Sequence, residues 1–281
     1  MPRRFAVRAA GPPESPSSVI MTGVPRGRCM ARTHALPRQP LNPQPERELA
    51  MNPVFAPPPP VLVPVAGTQS AFPVRRVYCV GRNYVEHAKE MGFTGREPPF
   101  FFMKPACAVV QAGEKEITIP YPPKTSNFHH EIELVVTLGK GGKDISIDQA
   151  LDHVHGYAVG LDMTRRDLQL DARDKGRPWE FGKSFAKSAP IGPIRTADKI
   201  GHLSSATISL TVNTQPRQSS DIEKLIWSVA ESISYLSQYE TLEPGDVIMT
   251  GTPEGVGAVV PGDVMHGHID GLVDIVVSVG K

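Results

Sequence analysis

The pattern of hydrophobic and polar positions along the chain predicts a fold in which strands dominate. From about Phe72 onward, short apolar runs are separated by Gly, Pro, Asn and Asp, a pattern typical of strands bounded by turns. The predicted strands are Val77–Gly81, Ile132–Leu138, His155–Asp162, Ala206–Asn213, Asp246–Thr250 and Val273–Val279. We therefore expect a strand-rich α+β fold.

Helical periodicity is clearest over Ile222–Tyr239, where apolar residues recur three and four positions apart behind a Ser-Ser-Asp cap signal. Two shorter helices are predicted, Tyr84–Met91 and Arg165–Lys175. At the start of the second, Thr164 and Asp167 have roughly the spacing of a capping box, with Asp in place of the usual Glu.

The N-terminal part of the chain differs from the rest. Its first 50 residues hold eight arginines against three acidic residues, many prolines and no apolar periodicity. We expect residues 1–50 to be a disordered extension, and an alternative hypothesis is that Met51 is the true start. An Arg- and Ser-rich start suggests a transit peptide, but the prolines oppose the amphipathic helix that such peptides form. The expected division is completed by a Pro-rich lead-in at 51–71 and a folded domain at 72–281.

The composition of the chain limits the kinds of molecule that it is expected to bind. A net charge of +1, with 21% charged and 6% aromatic residues, gives no electrostatic reason to expect nucleic acid or a membrane surface. No apolar run reaches the roughly 18 residues of a membrane span. Cys29, Cys79 and Cys107 show neither metal-binding nor redox spacing, and their odd number argues against a disulfide framework. We expect a cytoplasmic protein that acts on a small molecule.

Two glutamates stand two residues apart at the start of the predicted strand Ile132–Leu138. Side chains at this spacing share one face, so the carboxylates of Glu131 and Glu133 repel unless something positive lies between them. By itself, such a pair is more often a solvated face. Asp162 ends the apolar run 156–161, where a buried strand would deliver a third carboxylate. Three carboxylates without Cys or a well-spaced His pair predict an oxygen-loving cation, Mg²⁺ or Mn²⁺.

Histidines next to acidic residues supply a candidate acid–base pair. His87 and Glu90 are three residues apart, which makes them neighbours on a helix face. A carboxylate raises the basicity of an imidazole, as a general base that deprotonates water requires. In isolation, a surface His–Glu pair is the commoner explanation. His129 and His130 directly precede the acidic pair, and we expect them to support the ligands or the fold.

Two further stretches are candidate binding elements. The Gly-rich loop Thr250–Gly257 follows a predicted strand and offers backbone N–H and hydroxyl groups to a carboxylate. It lacks the Lys of a phosphate-binding loop, so nucleotide binding is not predicted. Arg166, Gln169 and Lys183 follow Asp162 in the sequence and offer cationic and amide contacts to an anionic substrate.

Several motifs in one order carry a family resemblance. They are G-R-N-Y-x-x-H-x-x-E, F-x-K-P, H-H-E-x-E-L, G-L-D-M-T, K-S-F and T-G-T-P-x-G-V-G, and they span Arg75 to Val279. Together they resemble the fumarylacetoacetate hydrolase family. Within it, residues 75–104, 164–169 and 221–231 are most similar to bacterial members that hydrolyse fumarylpyruvate in gentisate breakdown. The extension before Met51 has no counterpart in the family pattern.

The resemblance implies a mixed β-roll fold of the family's C-terminal-domain type, a homodimer, and catalysis by the domain at 72–281. It implies a metal-dependent hydrolase that cleaves a carbon–carbon bond in a 2,4-dioxo acid, converting fumarylpyruvate and water to fumarate and pyruvate. The residues that match the family's site are metal ligands Glu131, Glu133 and Asp162, catalytic residues His87, Glu90 and Lys183, and substrate-binding residues Arg166, Gln169 and Thr252.

Three alternatives remain open on the sequence. Within the same family, an acylpyruvase or oxaloacetate decarboxylase, or an isomerase of dienedioates, would share the metal and much of the site. Outside it, the chain would be a non-catalytic binding protein with a structural cation. A cation for the distal carboxylate would separate fumarylpyruvate from its rivals, and the unranked candidates are Arg82, Lys104, Arg165 and Arg177.

Overall fold

A computed structural model describes residues 52–86 and 96–281. Strands outnumber helices in these ranges, and they form sheets of two, three, five and eight strands. The strands are β1 (Val61–Pro64), β2 (Ala71–Val74), β3 (Arg76–Gly81), β4 (Phe100–Pro105), β5 (Val109–Gln111), β6 (Ile117–Pro120), β7 (Phe128–His130), β8 (Ile132–Leu138), β9 (Val154–Leu161), β10 (Thr164–Arg165), β11 (Ala189–Ile191), β12 (Arg195–Thr196), β13 (Thr207–Val212), β14 (Gln215–Asp221), β15 (Asp246–Met249), β16 (Gly257–Ala258), β17 (Val264–Ile269) and β18 (Ile275–Gly280).

The eight-stranded sheet is mixed and has β8 near its middle. Its order is β4-β3-β15-β8-β9-β11-β5, with β12 also paired to β9. The β3–β15 and β5–β11 pairs are parallel, whereas β8 is antiparallel to both of its neighbours. The five-stranded sheet has the order β14-β13-β17-β18-β6. The strand-rich, mixed fold class is therefore confirmed, and each of the strands predicted from the sequence is present to within about two residues.

Strand β8 shows how the sequence pattern builds the core. All of its residues are buried, and successive side chains alternate between two apolar clusters. Ile132, Leu134 and Val136 join a cluster that includes residues of the five-stranded sheet. Val135 points to the other face, into a smaller cluster with Val77 and neighbouring residues. Glu133 shares the parity of Val135, so its carboxylate enters the protein interior rather than solvent.

The longest predicted helix is wrong over its first third. Residues Ile222–Lys224 form a single 3₁₀ turn, and the α-helix runs only from Val229 to Tyr239. The Ser-Ser-Asp signal belongs to the end of β14. The helix is instead capped by Ser228, whose side chain accepts from the Glu231 N–H while Glu231 bonds back to Ser228 in a capping box. The remaining α-helices are Arg166–Asp174, Glu180–Lys183 and Ala197–Ile200, and the other 3₁₀ helices are Ala106–Ala108 and Ala150–His153.

The predicted capping box at the start of the helix Arg166–Asp174 is also wrong. The Thr164 hydroxyl donates to the carbonyl of Asp162, and Asp167 accepts from Thr125 and the Ser126 N–H. Both side chains are bound to neighbouring segments, so neither caps the other. The predicted helix Tyr84–Met91 lies mostly outside the described residues.

Ordered structure begins ahead of the expected start of the folded domain. β1, inside the predicted 51–71 lead-in, pairs antiparallel with β2, and Val63, Val65 and Phe72 are buried together. Cys79 and Cys107 form no disulfide, as the sequence predicts. No helix in the described ranges combines the length and apolar character needed to cross a membrane.

A histidine–aspartate cluster on β17 predicts a pH dependence of stability. The ring of His268 lies 2.7 Å from Asp274 and 3.0 Å from Asp270, and these carboxylates raise its pKa above 6.5. Hydrogen bonds from Thr207 and His268 hold the pKa of Asp270 at about 2. The stabilisation is complete below the unfolded-state pKa of His268 and is lost as pH rises through the raised folded-state pKa. We expect His268→Gln to lower the free energy of unfolding more at about pH 5.5 than at about pH 8.5.

Urea unfolding at both pH values measures this difference. The matched control is His153→Gln, because the ring of His153 faces the backbone carbonyl of Lys140 rather than a carboxylate. A loss of stability for His268→Gln that is the same at both pH values would contradict the assignment.

Candidate active site

The register of β8 against β9 brings the acidic residues together. Ile132 pairs with Leu161, so Glu131 and Asp162 stand opposite each other just beyond the paired residues. The Asp162 N–H donates to the carbonyl of Glu131 at 2.8 Å. One carboxylate oxygen from each of Glu131, Glu133 and Asp162 lies within 4.8 Å of the others, and all three residues are buried. The pair of glutamates is thus not a solvated face.

Lys183 binds two of these carboxylates. Its ammonium donates to Glu131 at 2.8 Å, to Asp162 at 2.6 Å and to the Thr164 hydroxyl at 2.8 Å. Burial alone would lower the pKa of Lys183, but Asp162 and Glu131 outweigh that effect and the pKa is raised. Lys183 is therefore a protonated, fully coordinated cation at the centre of the cluster.

Two more cationic side chains lie beside the acidic residues. Arg166 forms an ion pair with Glu131 and lies beside His129. Burial and the charge of Arg166 lower the pKa of His129 to about 4. The His129 ring is therefore neutral and accepts a hydrogen bond from the guanidinium. Lys104 is wholly buried and lies 2.8 Å from Asp162. Such buried charges are stable only with opposite partners, which accounts for the pairing of Glu131 and Asp162 with these three bases.

Glu133 differs from its neighbours in its contacts. Its carboxylate accepts from the Gly251 N–H at 2.8 Å, while Lys183 and Arg166 bind Glu131. Burial, with Asp162 and Glu131 nearby, holds the pKa of Glu133 well above its ordinary value, despite Lys183 and the Gly251 hydrogen bond. A buried carboxylate beside two others is a site for which an added positive charge is favourable.

The donor set fits a hard divalent cation. An oxygen of Asp162, Oδ1, is buried and accepts no hydrogen bond from the described residues, although Lys104 lies near it as an ion partner. Together with Glu131 and Glu133 it offers oxygen ligands alone, which Mg²⁺ and Mn²⁺ prefer over the softer Zn²⁺. The residues predicted as ligands therefore lie where a cation would fit them.

The predicted substrate-binding residues line the same pocket as the acidic residues. Arg166 and Gln169 are one turn apart on their helix, and the guanidinium donates to the Gln169 amide oxygen. The Thr252 hydroxyl donates to the carbonyl of Ile132 at 2.7 Å. Thr252 and the Gly251 N–H, both in the predicted binding loop, thus hold β8 in place from within the protein.

A residue that sequence analysis missed joins these elements. Gln218 on β14 is buried, and its side-chain oxygen accepts from the Ile132 N–H at 3.1 Å and contacts the His130 ring at 2.9 Å. Its amide nitrogen donates to the Thr252 hydroxyl and to the carbonyl of Pro253. Gln218 stands in an otherwise polar, exposed strand, so the sequence carries no local signal for it.

Comparisons with known proteins identify the family. The family model for the fumarylacetoacetate hydrolase C-terminal domain matches residues 76–279. The chain belongs to the fumarylacetoacetate hydrolase family.

Individual relatives within the fumarylacetoacetate hydrolase family are similar over most of their length. A fumarylpyruvate hydrolase from a Ralstonia species is 50% identical over 184 residues, covering 66% of this chain and 94% of the relative. The crystal structure of fumarylpyruvate hydrolase from Pseudomonas aeruginosa with Mn²⁺ and pyruvate has a TM-score of 0.80 at 58% identity, covering 82% of this chain and 99% of that one. A mitochondrial oxaloacetate decarboxylase from Dictyostelium discoideum is 42% identical over 198 residues, covering 70% and 90%.

The predicted acid–base pair lies outside the described residues. His87 and Glu90 fall between residues 86 and 96, where the structure gives no placement, so their role stays a prediction from the family motif. The described residues before them are well anchored, since the Asn83 amide donates to the carbonyls of Trp227 and Thr250. Asn83 thus joins three segments of the chain.

Replacing Gln218 tests whether it supports the site of this family member. We expect Gln218→Leu to leave the Ile132 N–H and the His130 ring without their acceptor, and to lower the free energy of unfolding by about 2–4 kcal/mol. Loss of the support behind the acidic residues should also weaken Mn²⁺ binding by about 10-fold or more. Urea unfolding and calorimetric Mn²⁺ titration measure the two effects.

Gln215→Leu is the matched control, because Gln215 lies on the same strand and is exposed. Equal behaviour of the two variants would show that the buried amide does not support the site.

Proposed function

We propose that this chain is a divalent-metal-dependent hydrolase that cleaves fumarylpyruvate to fumarate and pyruvate. The observation that carries the proposal is the meeting of Glu131, Glu133 and Asp162 with two buried cations in one pocket. A structural ion needs carboxylates, but it does not need Lys183 and Arg166 directed into the same cavity.

The choice of substrate rests on the relatives. Those named for fumarylpyruvate are 50% and 58% identical to this chain, whereas the oxaloacetate decarboxylase is 42% identical. This ranking favours fumarylpyruvate over the alternatives within the family. The proposal includes a place in gentisate breakdown, a homodimer and a cytoplasmic location, which rest on the family resemblance and the sequence.

The roles of the residues follow from their chemistry. Mg²⁺ or Mn²⁺ held by Glu131, Glu133 and Asp162 would polarise the 2-oxo acid and stabilise the departing enolate. Arg166 and Gln169 lie beside these ligands and bind the carboxylate of the same end. His87, supported by Glu90, takes a proton from the water that attacks the C4 carbonyl.

Cleavage of the bond between C3 and C4 leaves its electron pair on C3 of the pyruvate enolate, and a proton returned to C3 gives pyruvate. The structure sharpens the expected role of Lys183. Because its three donors bind Glu131, Asp162 and Thr164, its first effect is to orient two carboxylates. One donor must be redirected for Lys183 to hold the oxyanion at C4.

An assay of pyruvate release tests the function. We expect the Mn²⁺-loaded protein to release pyruvate from fumarylpyruvate faster than from acetylpyruvate or oxaloacetate, and a chelator to abolish the reaction. Glu133→Gln should weaken Mn²⁺ binding by more than about 10-fold and remove turnover in proportion. This variant should still fold, because Gln keeps an acceptor for the Gly251 N–H and the raised pKa of Glu133 indicates that its neutral form is tolerated.

Glu116→Gln is the control for loss of a carboxylate, since Glu116 is exposed at the surface. Faster turnover of oxaloacetate or acetylpyruvate would assign the alternative activity. Absence of turnover on all three compounds, with Mn²⁺ still bound, would instead favour the non-catalytic binding protein.

The proposed general base has its own test. We expect His87→Gln to lower kcat by about 100-fold to 10,000-fold, the range of general-base catalysis, while Mn²⁺ affinity stays within about twofold of wild type. Stopped-flow pyruvate detection and Mn²⁺ titration measure the two quantities. Glu86→Gln, one residue away in sequence, is the control. If His87→Gln kept full turnover, the water-activating pair would have to be sought elsewhere.

A further inference from the structure

Cationic side chains form part of the lining of the pocket. Arg82, Arg166 and Lys183 line it. Arg166 and Lys183 are both paired with Glu131 and thus belong to the acidic end. The guanidinium of Arg82 lies over the Phe100 ring, 4.6 Å from its centroid. The pocket therefore has a third cationic group, which lies against an aromatic ring.

Aromatic rings connect the acidic end of the pocket to Arg82. The Lys183 ammonium lies 5.1 Å from the centroid of Phe102. Phe102 is followed by Trp179 at 5.8 Å and Trp179 by Phe100 at 5.3 Å. Phe102 and Trp179 both line the pocket. Carboxylates, aromatic rings and the Arg82 guanidinium thus follow one another from the acidic end of the pocket to Arg82.

Backbone geometry fixes the position of Arg82. Gly81 pairs with Phe100 across β3 and β4, and a Cβ on Gly81 would lie 2.0 Å from the Phe100 ring. Only glycine therefore lets the ring occupy its place beneath the guanidinium. Arg82 itself has a φ of 55°, in the left-handed region that residues with a Cβ seldom adopt. Such backbone conformations concentrate at functional sites.

The structure separates Arg82 from the other cations that the sequence offers for a distal carboxylate. Lys104 is buried against Asp162, the carbonyls of Met163 and Lys183, and the Ser188 hydroxyl. Arg165 lies over the Phe185 ring and donates to the carbonyl of Phe181. Arg177 is exposed. None of these three lines the pocket that Arg82 lines.

We infer that Arg82 is the specificity-determining residue that binds the distal carboxylate of the substrate. The inference rests on the proposed function and deepens it. The parts of fumarylpyruvate follow the same order as the groups in the pocket. Its 2-oxo acid end lies at the carboxylates, its planar conjugated chain along Phe102 and Trp179, and its terminal carboxylate at Arg82. The planar guanidinium binds a carboxylate through two hydrogen bonds, which a lysine ammonium does not reproduce.

Two substrates that differ at the far end test the inference. Acetylpyruvate has the same 2,4-dioxo acid end as fumarylpyruvate but no distal carboxylate. We expect Arg82→Gln to lower kcat/KM for fumarylpyruvate by roughly 30-fold or more, the loss of a charge-assisted pair, and to change that for acetylpyruvate by less than about threefold. Arg82→Lys should recover part of the loss, because it restores the charge without the two-pronged geometry.

Steady-state kinetics of the Mn²⁺-loaded full chain give both values for each variant, with Arg177→Gln as the matched arginine control. If Arg82→Gln does not fold, the selective loss in Arg82→Lys carries the same test. Equal losses on both substrates, or no loss on either, would overturn the inference and leave the proposed function standing. Failure of the wild-type protein to release pyruvate from either substrate would overturn the proposed function first and this inference with it.

Discussion

The antiparallel pairing of β8 with β9 is the constraint on which the rest of the site depends. It places Glu131 opposite Asp162 and draws Glu133 into the interior on the same side. Burying carboxylates side by side is unfavourable, because each loses its hydration and repels the others. The fold offsets this cost with Lys183 and buried cations from two other segments.

Support for this cluster comes from elements distant in sequence. Gln218 reaches from the five-stranded sheet to the backbone of Ile132, and the Gly251 N–H reaches Glu133 from the end of β15. Each fixes a carboxylate or its strand without itself being charged. The result is a pocket with an acidic end, an aromatic wall and Arg82 beyond it, an arrangement suited to a ligand that has two different ends.

Tertiary contacts explain why two helix starts predicted from local sequence patterns were wrong. The apolar spacing from Ile222 is helical, yet the Ile226 and Trp227 N–H groups donate to the backbone and side chain of Asn83. These bonds keep residues 226 and 227 out of the α-helix, which starts only after its cap at Ser228. The Ser228-x-x-Glu231 capping box is visible in the sequence and would have given the correct start. Thr164 was likewise expected at a helix cap, but it is bound to Lys183 and the Asp162 carbonyl.

The sequence by itself determined the strand-rich fold class, the position of strand β8 and the candidate ligands, because alternation and the family's motifs are local properties of the chain. It also named Lys183, Arg166 and Gln169, which lie close behind Asp162 in the sequence. Only the tertiary structure decided that Lys104 is buried against Asp162, that Gln218 supports the site and that Arg82 faces the pocket. These assignments depend on which segments meet in space, and a hydrogen bond or ion pair between distant residues leaves no periodic signal in either one.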